Sequence, residues 1–471
     1  MPIYIYNSLT RKKEEFLPQN PPEVNIYTCG VTVYDESHLG HARSLYIFDV
    51  IRRFLKFRDF RVHFVRNITD IDDKIINRAV QLKVAWQDLI KKYIDRYRED
   101  LRLLGIERGD FEPRATENIP EMIKYIEGLI AKGFAYPTDS GVYFSVRKFK
   151  DYGKLSGQGI DQMLTGVRKE PDETKDDPLD FALWKSSKPD EPFWDSPWGK
   201  GRPGWHIECS VMSQKFLKVD TLDIHAGGRD LIFPHHENET AQAEALTGKP
   251  FAKYWLHHGL LTINSQKMSK SLGNFVTIKD FMDKYQDADL LKMFFLSAHY
   301  AHPIDYTEEK IEEAKKALER ILILLDKSIR ATPRPIGWDG VRSCASKKFT
   351  EIEELKGRFI AAMEDDFNTP QGLAVLFELV NAANKNIDDA GFVSSAVNLL
   401  FEIRDTLGLK LQRKPGAGDL SAEIEQSIVK RNAARKAGDF KESDRIRKEL
   451  EASGIILEDS KDGKTTWRRR L

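Results

Sequence analysis

"VNIYTCGVTVYDESHLGHARS", residues 24–44, changes its hydrophobic period part way along. Residues 24–34 alternate β-branched and aromatic positions with smaller ones, which predicts a strand, and apolar residues then recur at helical spacing from position 38 to about 56. Residues 60–69, "FRVHFVRNIT", alternate again and predict a second strand. The three segments form a βαβ unit with the tetrad HLGH at its first strand-to-helix junction. Ligands of parallel sheets bind at such junctions, so the tetrad is a candidate functional site.

The composition is that of a folded protein with several cores. The chain has 471 residues, of which 41% are hydrophobic and 10% aromatic, so we expect about three or four packed units and little disorder. Lysine and arginine together number 73, as do aspartate and glutamate. The net charge therefore does not indicate a polyanionic partner, and any surface that binds nucleic acid has to be local.

The cysteines indicate a reducing compartment. The chain has only Cys29, Cys209 and Cys344, which are far apart and odd in number, so a disulfide scaffold is not expected. The first sixteen residues lack the apolar region of a signal peptide, and no apolar run is long enough to span a bilayer. We expect a cytoplasmic protein without a membrane segment.

The nucleotide-type fold is predicted to be split in two. Between about 115 and 203 a helical piece leads into a stretch rich in Pro, Asp and Trp, which predicts an insertion that is partly loop. Strand-like segments return after about 204, and we expect both halves to form one sheet. Beyond about 307 the helical period predicts a bundle, and a Pro/Gly linker at 412–419 precedes two short helices and a hairpin with an Asp-Gly turn.

The tetrad HLGH suits a nucleotide phosphate. At a helix N-terminus the free N–H groups and the dipole favour an anion, and Gly40 allows close approach between His38 and His41. The alternative is that the two histidines only cap the helix or pack locally.

The pentapeptide KMSKS, residues 267–271, is the more specific signal. It lies in a loop with Gly and Ser that follows an apolar strand, and Lys267 and Lys270 could close over a triphosphate. Because this sequence is rare by chance, an ordinary solvated loop is the weaker interpretation.

HLGH followed by KMSKS resembles the signature pair of the class I aminoacyl-tRNA synthetases. The segments YTCGVTVYD, NITDIDDKII, GWHIECS, FPHHENE and EDSKDGKTTWRRR extend the resemblance over essentially the whole chain, to the bacterial cysteinyl-tRNA synthetases. The resemblance implies an α/β fold with a class I Rossmann-type catalytic domain split by a connective block. The expected domains are the catalytic domain at 1–114 and 204–306, the insertion at 115–203, an α-helical bundle at 307–411, and a linker with a small α+β anticodon-binding module at 412–471.

The resemblance also implies one Zn2+ per chain. Matching the motifs residue by residue places the ligands at Cys29, Cys209, His235 and Glu239. On a helix, the i, i+4 spacing of the last two puts imidazole and carboxylate on one face, as chelation requires. Without the resemblance, the two separated cysteines would be interpreted as buried apolar residues. His236 and Glu237 are neighbours that could be mistaken for ligands, and Cys344 is expected to be a bystander.

The implied reaction has two steps. ATP, with Mg2+, activates L-cysteine as cysteinyl-adenylate and releases pyrophosphate, and the 3'-terminal ribose of tRNA-Cys then takes the amino acid. Neither step needs an enzyme nucleophile, so the enzyme has to position the reactants and stabilise phosphate charge. The residues expected to do so are His38, His41, Lys267 and Lys270, with Gly40 beside the ATP. Weaker candidates for contacts with the amino acid or adenylate, each with an ordinary core, strand or turn role as its alternative, are Thr32, Trp205, His225 and Asp230.

Zinc would explain how cysteine is selected. A thiol with a pKa near 8.5 ionises readily on zinc, whereas a serine hydroxyl is less acidic and harder. Selection of this kind needs no second sieve, so no editing domain is expected.

The C-terminal end indicates a tRNA partner. Trp467 is followed by Arg468, Arg469 and Arg470, and an aromatic ring beside guanidinium groups can stack on unpaired bases, although a solvated tail is the alternative. We expect a monomer. A ligase that joins cysteine to the amine of a sugar would not need this module, and a non-catalytic tRNA-binding paralogue would not need intact HLGH and KMSKS. A persulfide-forming side activity stays open, because Asn77 departs from the lysine often found there.

Overall fold

A computed structural model describes residues 2–159, 163, 174–268, 273–331, 347–412, 421–459 and 465–469. The chain divides into two compact units. The first comprises Met1–Glu308, Lys356–Val375 and Asp405–Leu409, and the second comprises Glu309–Leu355, Leu376–Arg404 and Lys410–Leu471. In the described part of the chain, no helix is both long enough and apolar enough to cross a membrane.

Strands and helices are interspersed through the first 306 residues, and helices predominate after them. The strands are β1 Tyr4–Asn7, β2 Lys12–Glu15, β3 Glu23–Thr28, β4 Arg61–Arg66, β5 Ala135–Thr138, β6 Gly141–Phe144, β7 Phe181–Ser186, β8 Gly201–Pro203, β9 Leu222–Gly228, β10 Ala252–His258, β11 Leu261–Ile263, β12 Gln266–Lys267, β13 Ile304–Tyr306, β14 Ile455–Asp459 and β15 Thr465–Arg469. The helices are α1 Leu39–Phe57, α2 Asp73–Leu82, α3 Trp86–Leu104, α4 Ile119–Ala131, α5 Trp205–Leu217, α6 Glu237–Thr247, α7 Ile278–Tyr285, α8 Ala288–Leu296, α9 Glu308–Ala331, α10 Lys347–Glu364, α11 Thr369–Lys385, α12 Ala390–Thr406, α13 Ser421–Lys436 and α14 Phe440–Ala452.

The central sheet joins the two predicted halves. Its four strands run parallel in the order β10-β9-β3-β4, so two come from before the insertion and two from after it. Tyr27 of β3 lies opposite His225 of β9, which lies opposite Trp255 of β10. All three side chains are buried, as expected of a parallel sheet covered on both faces. The predicted split Rossmann-type fold is confirmed.

The strand predicted over residues 24–34 is too long. β3 ends at Thr28, and residues 29–37 form a loop that leads into α1. A Cβ at Gly30 would overlap the main-chain carbonyl of Asn67, and the Gly30 N–H donates to the Asn67 side-chain oxygen at 2.7 Å. The chain therefore leaves the sheet at this point, although the alternation of side chains continues beyond it.

The insertion contains a sheet that its composition did not reveal. β5, β6, β7 and β8 form a four-stranded antiparallel sheet, and α4 packs into the same core cluster. β7 carries the fully buried Leu183 and Trp184. The Pro- and Asp-rich turns on either side of β7 dominate the composition of the segment, so the strand between them was predicted as part of a loop.

The predicted terminal hairpin is confirmed. β14 pairs antiparallel with β15, from Ile455 opposite Arg469 to Asp459 opposite Thr465. Arg431 of α13 donates to both carboxylate oxygens of Asp459, at 2.9 and 2.7 Å. The predicted Asp-Gly turn, the linker from 413 onwards and Cys344 lie outside the described residues.

One buried arginine, Arg43, binds α1 to the chain segments that follow β10 and precede β13. One terminal nitrogen of Arg43 donates to the carbonyls of Gly259 and Leu260, at 2.7 and 3.0 Å, and the other donates to those of Tyr300 and His302, at 3.2 and 2.5 Å. Burial lowers the Arg43 pKa only to about 10, so the side chain stays charged at neutral pH. Four main-chain carbonyls thus share one side-chain donor.

Replacing Arg43 by methionine should destabilise the first unit strongly. The variant loses four hydrogen bonds of a buried guanidinium, and we expect the free energy of unfolding to fall by about 3 kcal/mol. Urea titration followed by tryptophan fluorescence measures the change. Arg102→Met, which removes an exposed arginine paired with Glu99, is the control and should stay within about 0.5 kcal/mol of the parent. Equal losses in the two variants would contradict the role given to Arg43.

The buried His258 at the end of β10 should make stability depend on pH. Burial, with Arg43 nearby, lowers its pKa to about 4, against about 6.5 in an unfolded chain. The unfolded chain binds the proton first, so His258 should cost roughly 3 kcal/mol of stability as the pH falls from 6.5 to 4. His258→Asn can still donate to Gly259 but cannot titrate. The unfolding free energy of the parent minus that of the variant should therefore fall by roughly 3 kcal/mol across this range; a constant difference would contradict the assignment.

Candidate functional site

The candidate site lies where the four parallel strands end. Cys29 directly follows β3, Asn67 follows β4, and Gly228 and His258 are the last residues of β9 and β10. The carboxyl ends of parallel strands meet at one edge of a sheet, and the turns that follow them carry the ligand-binding groups in folds of this class.

The four predicted metal ligands are brought together at this edge. Ligand atoms of Cys29, Cys209, His235 and Glu239 all lie within 4.8 Å of one another. The two sulfur atoms are 3.8 Å apart, Cys209 Sγ is 3.6 Å from His235 Nε2, and Cys29 Sγ is 3.5 Å from Glu239 Oε1. Residues separated by about 200 positions in sequence thus form one cluster.

These distances fit a tetrahedral zinc ion. With Zn–S bonds of about 2.3 Å and Zn–N and Zn–O bonds of about 2.0 to 2.2 Å, the edges of the tetrahedron are about 3.8 Å between two sulfurs and about 3.5 to 3.6 Å between sulfur and nitrogen or oxygen. The fourth distance, 2.7 Å between His235 Nε2 and Glu239 Oε1, is shorter, because these two groups form a hydrogen-bonded ion pair. The donor set, two thiols with imidazole and carboxylate, is also one that zinc prefers.

A second combination of side chains fits less well. Cys29, His225, His236 and Glu239 also present donor atoms within 4.8 Å of one another. Here Cys29 Sγ is 3.2 Å from His236 Nε2, and His225 Nε2 is 2.5 Å from Glu239 Oε2, both shorter than the edges of a zinc tetrahedron. His225 and His236 therefore serve better as hydrogen-bond partners of the ligands.

Neighbouring rings orient the ligands. His206 Nδ1 is 2.9 Å from His235 Nδ1, which leaves His235 Nε2 to face the sulfur of Cys209. The ring of Trp205 stacks on His235 at a centroid distance of 4.1 Å. The Nε2 atom of His225 contacts the second carboxylate oxygen of Glu239, Oε2. Partners of this kind commonly fix the tautomer and direction of a metal ligand.

The electrostatics favour a carboxylate at position 239. Burial alone would raise the pKa of Glu239, but His235 and His225 outweigh it and hold that pKa well below its usual range. In the same way Glu239 outweighs burial and raises the pKa of His235 to about 10. The pair is therefore charged at neutral pH, and a metal that binds His235 displaces its proton.

The two histidines of the HLGH tetrad cap α1. The Nδ1 atom of His38 accepts from the N–H groups of Gly40 and His41, at 3.1 and 3.3 Å, and the Nδ1 atom of His41 accepts from the N–H of His38 at 3.2 Å. The rings stack at 3.7 Å, and a Cβ on Gly40 would meet the ring of His38. The local capping role weighed above is thus observed, and it accounts for the glycine.

A small cavity at the tetrad is the candidate nucleotide site. Its walls are the loop 31–38, His41, Tyr93, Tyr97 and Phe275. Burial, with His38 and Lys74 nearby, lowers the pKa of His41 well below its usual value, so its imidazole is neutral at physiological pH.

The segment after KMSKS pairs with this loop. The N–H of Leu39 donates to Val276 at 3.1 Å, and the N–H of Ile278 donates to Ser37 at 2.9 Å. Lys267 is exposed at the end of β12. Lys270 lies outside the described residues, so its predicted role stays a prediction.

The weaker candidates are distributed around the two sites. Thr32 lies in the cavity wall and bridges to Thr69, while Asp230 is exposed in the turn after β9. Trp205 is half-buried against His235. His225 is fully buried, so it has no exposed surface for a substrate, and its observed contact is with Glu239 instead.

Three further residues at the site were missed from the sequence. His206 contacts His235, Tyr27 is buried beside Cys209, and the ammonium group of Lys74 lies 6.0 Å from the ring of Trp205. Of the three, only His206 could have been identified from the sequence, because it is adjacent to the candidate Trp205. The positions of Tyr27 and Lys74 depend on strand register and helix packing, which no local motif encodes.

Comparison with known families and structures identifies the fold. A sequence model described as tRNA synthetases class I (C) catalytic domain matches residues 15–316, a DALR domain matches 358–412, and a cysteinyl-tRNA ligase anticodon binding domain matches 417–468. Methionyl-tRNA synthetase of Mycobacterium tuberculosis, in complex with methionyl-adenylate, superposes with a TM-score of 0.61 at 16% identity, over 82% of this chain and 90% of that one. A LeuRS of Agrobacterium radiobacter, in a ternary complex, superposes with 0.63 at 11% identity, over 84% and 85%.

Curated relatives match over the full length. A cysteine–tRNA ligase of Anoxybacillus flavithermus is 49% identical over 480 residues, with 100% of both chains covered. One of Aquifex aeolicus is 47% identical over 496 residues, which covers 100% of this chain and 99% of the relative. The chain therefore belongs to the cysteine–tRNA ligase family of class I aminoacyl-tRNA synthetases.

Proposed function

We propose that this chain activates L-cysteine with ATP and transfers it to the 3'-terminal ribose of tRNA-Cys, with zinc bound by Cys29, Cys209, His235 and Glu239 as the group that recognises the thiol. The observation that supports the metal is the set of donor distances, which match three edges of a zinc tetrahedron. The family and its ligase activity follow from the full-length relatives.

One loop couples amino-acid recognition to activation. It begins at the ligand Cys29 and ends at His38, the cap of α1, and its middle residues line the cavity. An amino acid held by its sulfur near Cys29 would therefore bind at one end of the loop whose other end begins α1. The positive end of the α1 dipole, together with His38 and His41, favours the negative charge of the α-phosphate.

The protein groups do not act as nucleophiles. The carboxylate of cysteine attacks the α-phosphorus of ATP and pyrophosphate leaves, so this chain has to orient the two reactants and stabilise the charge that develops. His41 is neutral at physiological pH and can donate a hydrogen bond without adding charge. Lys267 and Lys270 are proposed to neutralise the departing pyrophosphate, which carries its Mg2+ as part of the substrate.

A bound zinc ion supplies a Lewis acid that favours a thiolate over an alcohol. The hydroxyl of serine is less acidic than a thiol and is a harder ligand, so it is rejected by chemistry as well as by size. Cys209, His235 and Glu239 are buried, and His206 and His225 orient the last two, which leaves these side chains little freedom to adapt to a different donor.

The family supports the proposed tRNA partner but does not test the cellular location. The matched anticodon binding domain supports tRNA-Cys as the nucleic-acid substrate. The cytoplasmic location and the monomeric state stay predictions.

The direct test is attachment of labelled cysteine to a tRNA-Cys transcript with ATP, beside serine and beside a chelator-treated sample. We expect charging of cysteine alone and its loss on chelation; adenylate formation without charging would indicate the amine ligase instead.

Removing one metal ligand should abolish recognition of cysteine. We expect Cys209→Ser to bind much less zinc and to activate cysteine, measured by pyrophosphate exchange, at about 1% of the parental rate or less. Cys344→Ser makes the same chemical change at the third cysteine and is the control; it should keep one zinc per chain and full activity. Parental activity in Cys209→Ser would contradict the proposed centre.

Removing Lys270 should lower activation without affecting the metal. Loss of one contact that stabilises developing charge typically costs about 2.7 to 4 kcal/mol, so Lys270→Ala should reduce the rate of cysteine activation about 100-fold or more while its zinc content stays at one per chain. Lys279→Ala, at an exposed lysine of α7 that pairs with Asp283, is the control and should activate cysteine normally. Pyrophosphate exchange near the parental rate would refute the role of Lys270.

A further inference from the structure

The loop that lines the candidate nucleotide cavity carries two carboxylates. Asp35 and Glu36 belong to the cavity wall and lie three and two positions before His38. Both side chains are partly buried, with 13% and 30% of their surface exposed. Water therefore screens their charge only in part, and an anionic triphosphate at this wall meets like charge. A cavity that binds ATP has to compensate these two carboxylates.

Two arginines on neighbouring helices face these carboxylates. A terminal nitrogen of Arg78, on α2, lies 3.3 Å from Oδ2 of Asp35. The Nε atom of Arg96, on α3, lies 3.0 Å from Oε2 of Glu36. Each of the two carboxylates on the wall thus has a positive partner, and each ion pair carries no net charge.

One face of α3 is turned towards the cavity loop. Its members recur at spacings of three and four residues, which places them on one side of the helix: Tyr93, Arg96, Tyr97 and Asp100. The two tyrosines line the cavity, and Asp100 is almost completely buried. A terminal nitrogen of Arg96 lies 3.3 Å from Oδ1 of Asp100. Arg96 is therefore held between a buried carboxylate of its own helix and Glu36 of the loop, which fixes the direction of its guanidinium group.

We propose that Arg78 and Arg96 are positioning residues of the nucleotide site, whose guanidinium groups neutralise Asp35 and Glu36 so that the cavity can bind the triphosphate of ATP. This inference rests on the nucleotide site of the proposed function. When an arginine is removed, its carboxylate stays on the wall as a net negative charge and repels the nucleotide. Because each arginine acts through its carboxylate, removing both members of a pair restores the charge balance of the wall.

Arg96→Met tests the proposal in two backgrounds, the parental chain and Glu36→Gln. In the parental chain we expect the KM for ATP in cysteine-dependent pyrophosphate exchange to rise about tenfold and kcat to change less than about threefold, because the charge acts on nucleotide binding. In Glu36→Gln the same substitution should raise this KM less than about twofold. Arg102→Met is the matched control on α3. Its side chain is 71% exposed and pairs with Glu99, neither residue belongs to the described cavity wall, and it should keep the parental KM.

The pair of Arg78 and Asp35 gives a second test, which decides if Arg96→Met does not fold. Arg78→Met, compared in the parental chain and in Asp35→Asn, should show the same pattern of KM values. For either pair, an unchanged KM for ATP or an equal rise in both backgrounds would overturn the inference. An arginine that contacted ATP itself, or that only supported the fold, would act without its carboxylate. Absence of cysteine-dependent exchange in the parent would instead overturn the proposed function.

Discussion

At the carboxyl end of β3 the chain can turn out of the sheet only because residue 30 has no side chain. Gly30 lies against the main-chain carbonyl of Asn67, and its N–H is bound by the Asn67 side chain. This close approach of two strand ends places Cys29 at the edge of the sheet and starts the loop that ends at His38. The positions of the metal cluster and of the capped helix both depend on it, because they are the two ends of that loop.

The metal cluster is built from groups that are expensive to bury. Glu239 and the histidines 225, 235 and 236 are almost completely inaccessible. Each is tied to another polar group: His225 and His235 to Glu239, and His236 both to Cys29 and, at 2.8 Å, to His257. Buried charge of this density is tolerated only when it is paired, and a divalent cation would compensate the acidic ligands further. The side chains of the cluster are therefore held in place by one another.

Residues 235–239 also hold the insertion in place. Glu237, between the ligand positions, accepts from the N–H groups of Gly153 and Ser156 at 2.9 and 2.7 Å. Its neighbour Asn238 accepts from the hydroxyl of Tyr152 at 2.5 Å. Every residue from 235 to 239 thus holds either the metal cluster or the turn that begins the second part of the insertion. Glu237 and His236 looked like possible ligands in the sequence because their buried polar roles require the same residue types.

The sequence by itself determined the class of fold and the split of the catalytic sheet, and it predicted the four residues that come together as the candidate metal site. Periodicity shows where strands and helices form, and the motifs around positions 29, 209 and 235–239 are specific enough to be matched one by one. Only the tertiary structure decided that β3 stops at Thr28, that the insertion carries a sheet, and that His225 serves Glu239. Strand ends, sheet partners and the neighbours of a buried ring are set by contacts between residues far apart in the chain. Tyr27 illustrates the limit: its alternating position predicts a strand, but only the tertiary structure places it opposite His225 and in one core cluster with Cys209.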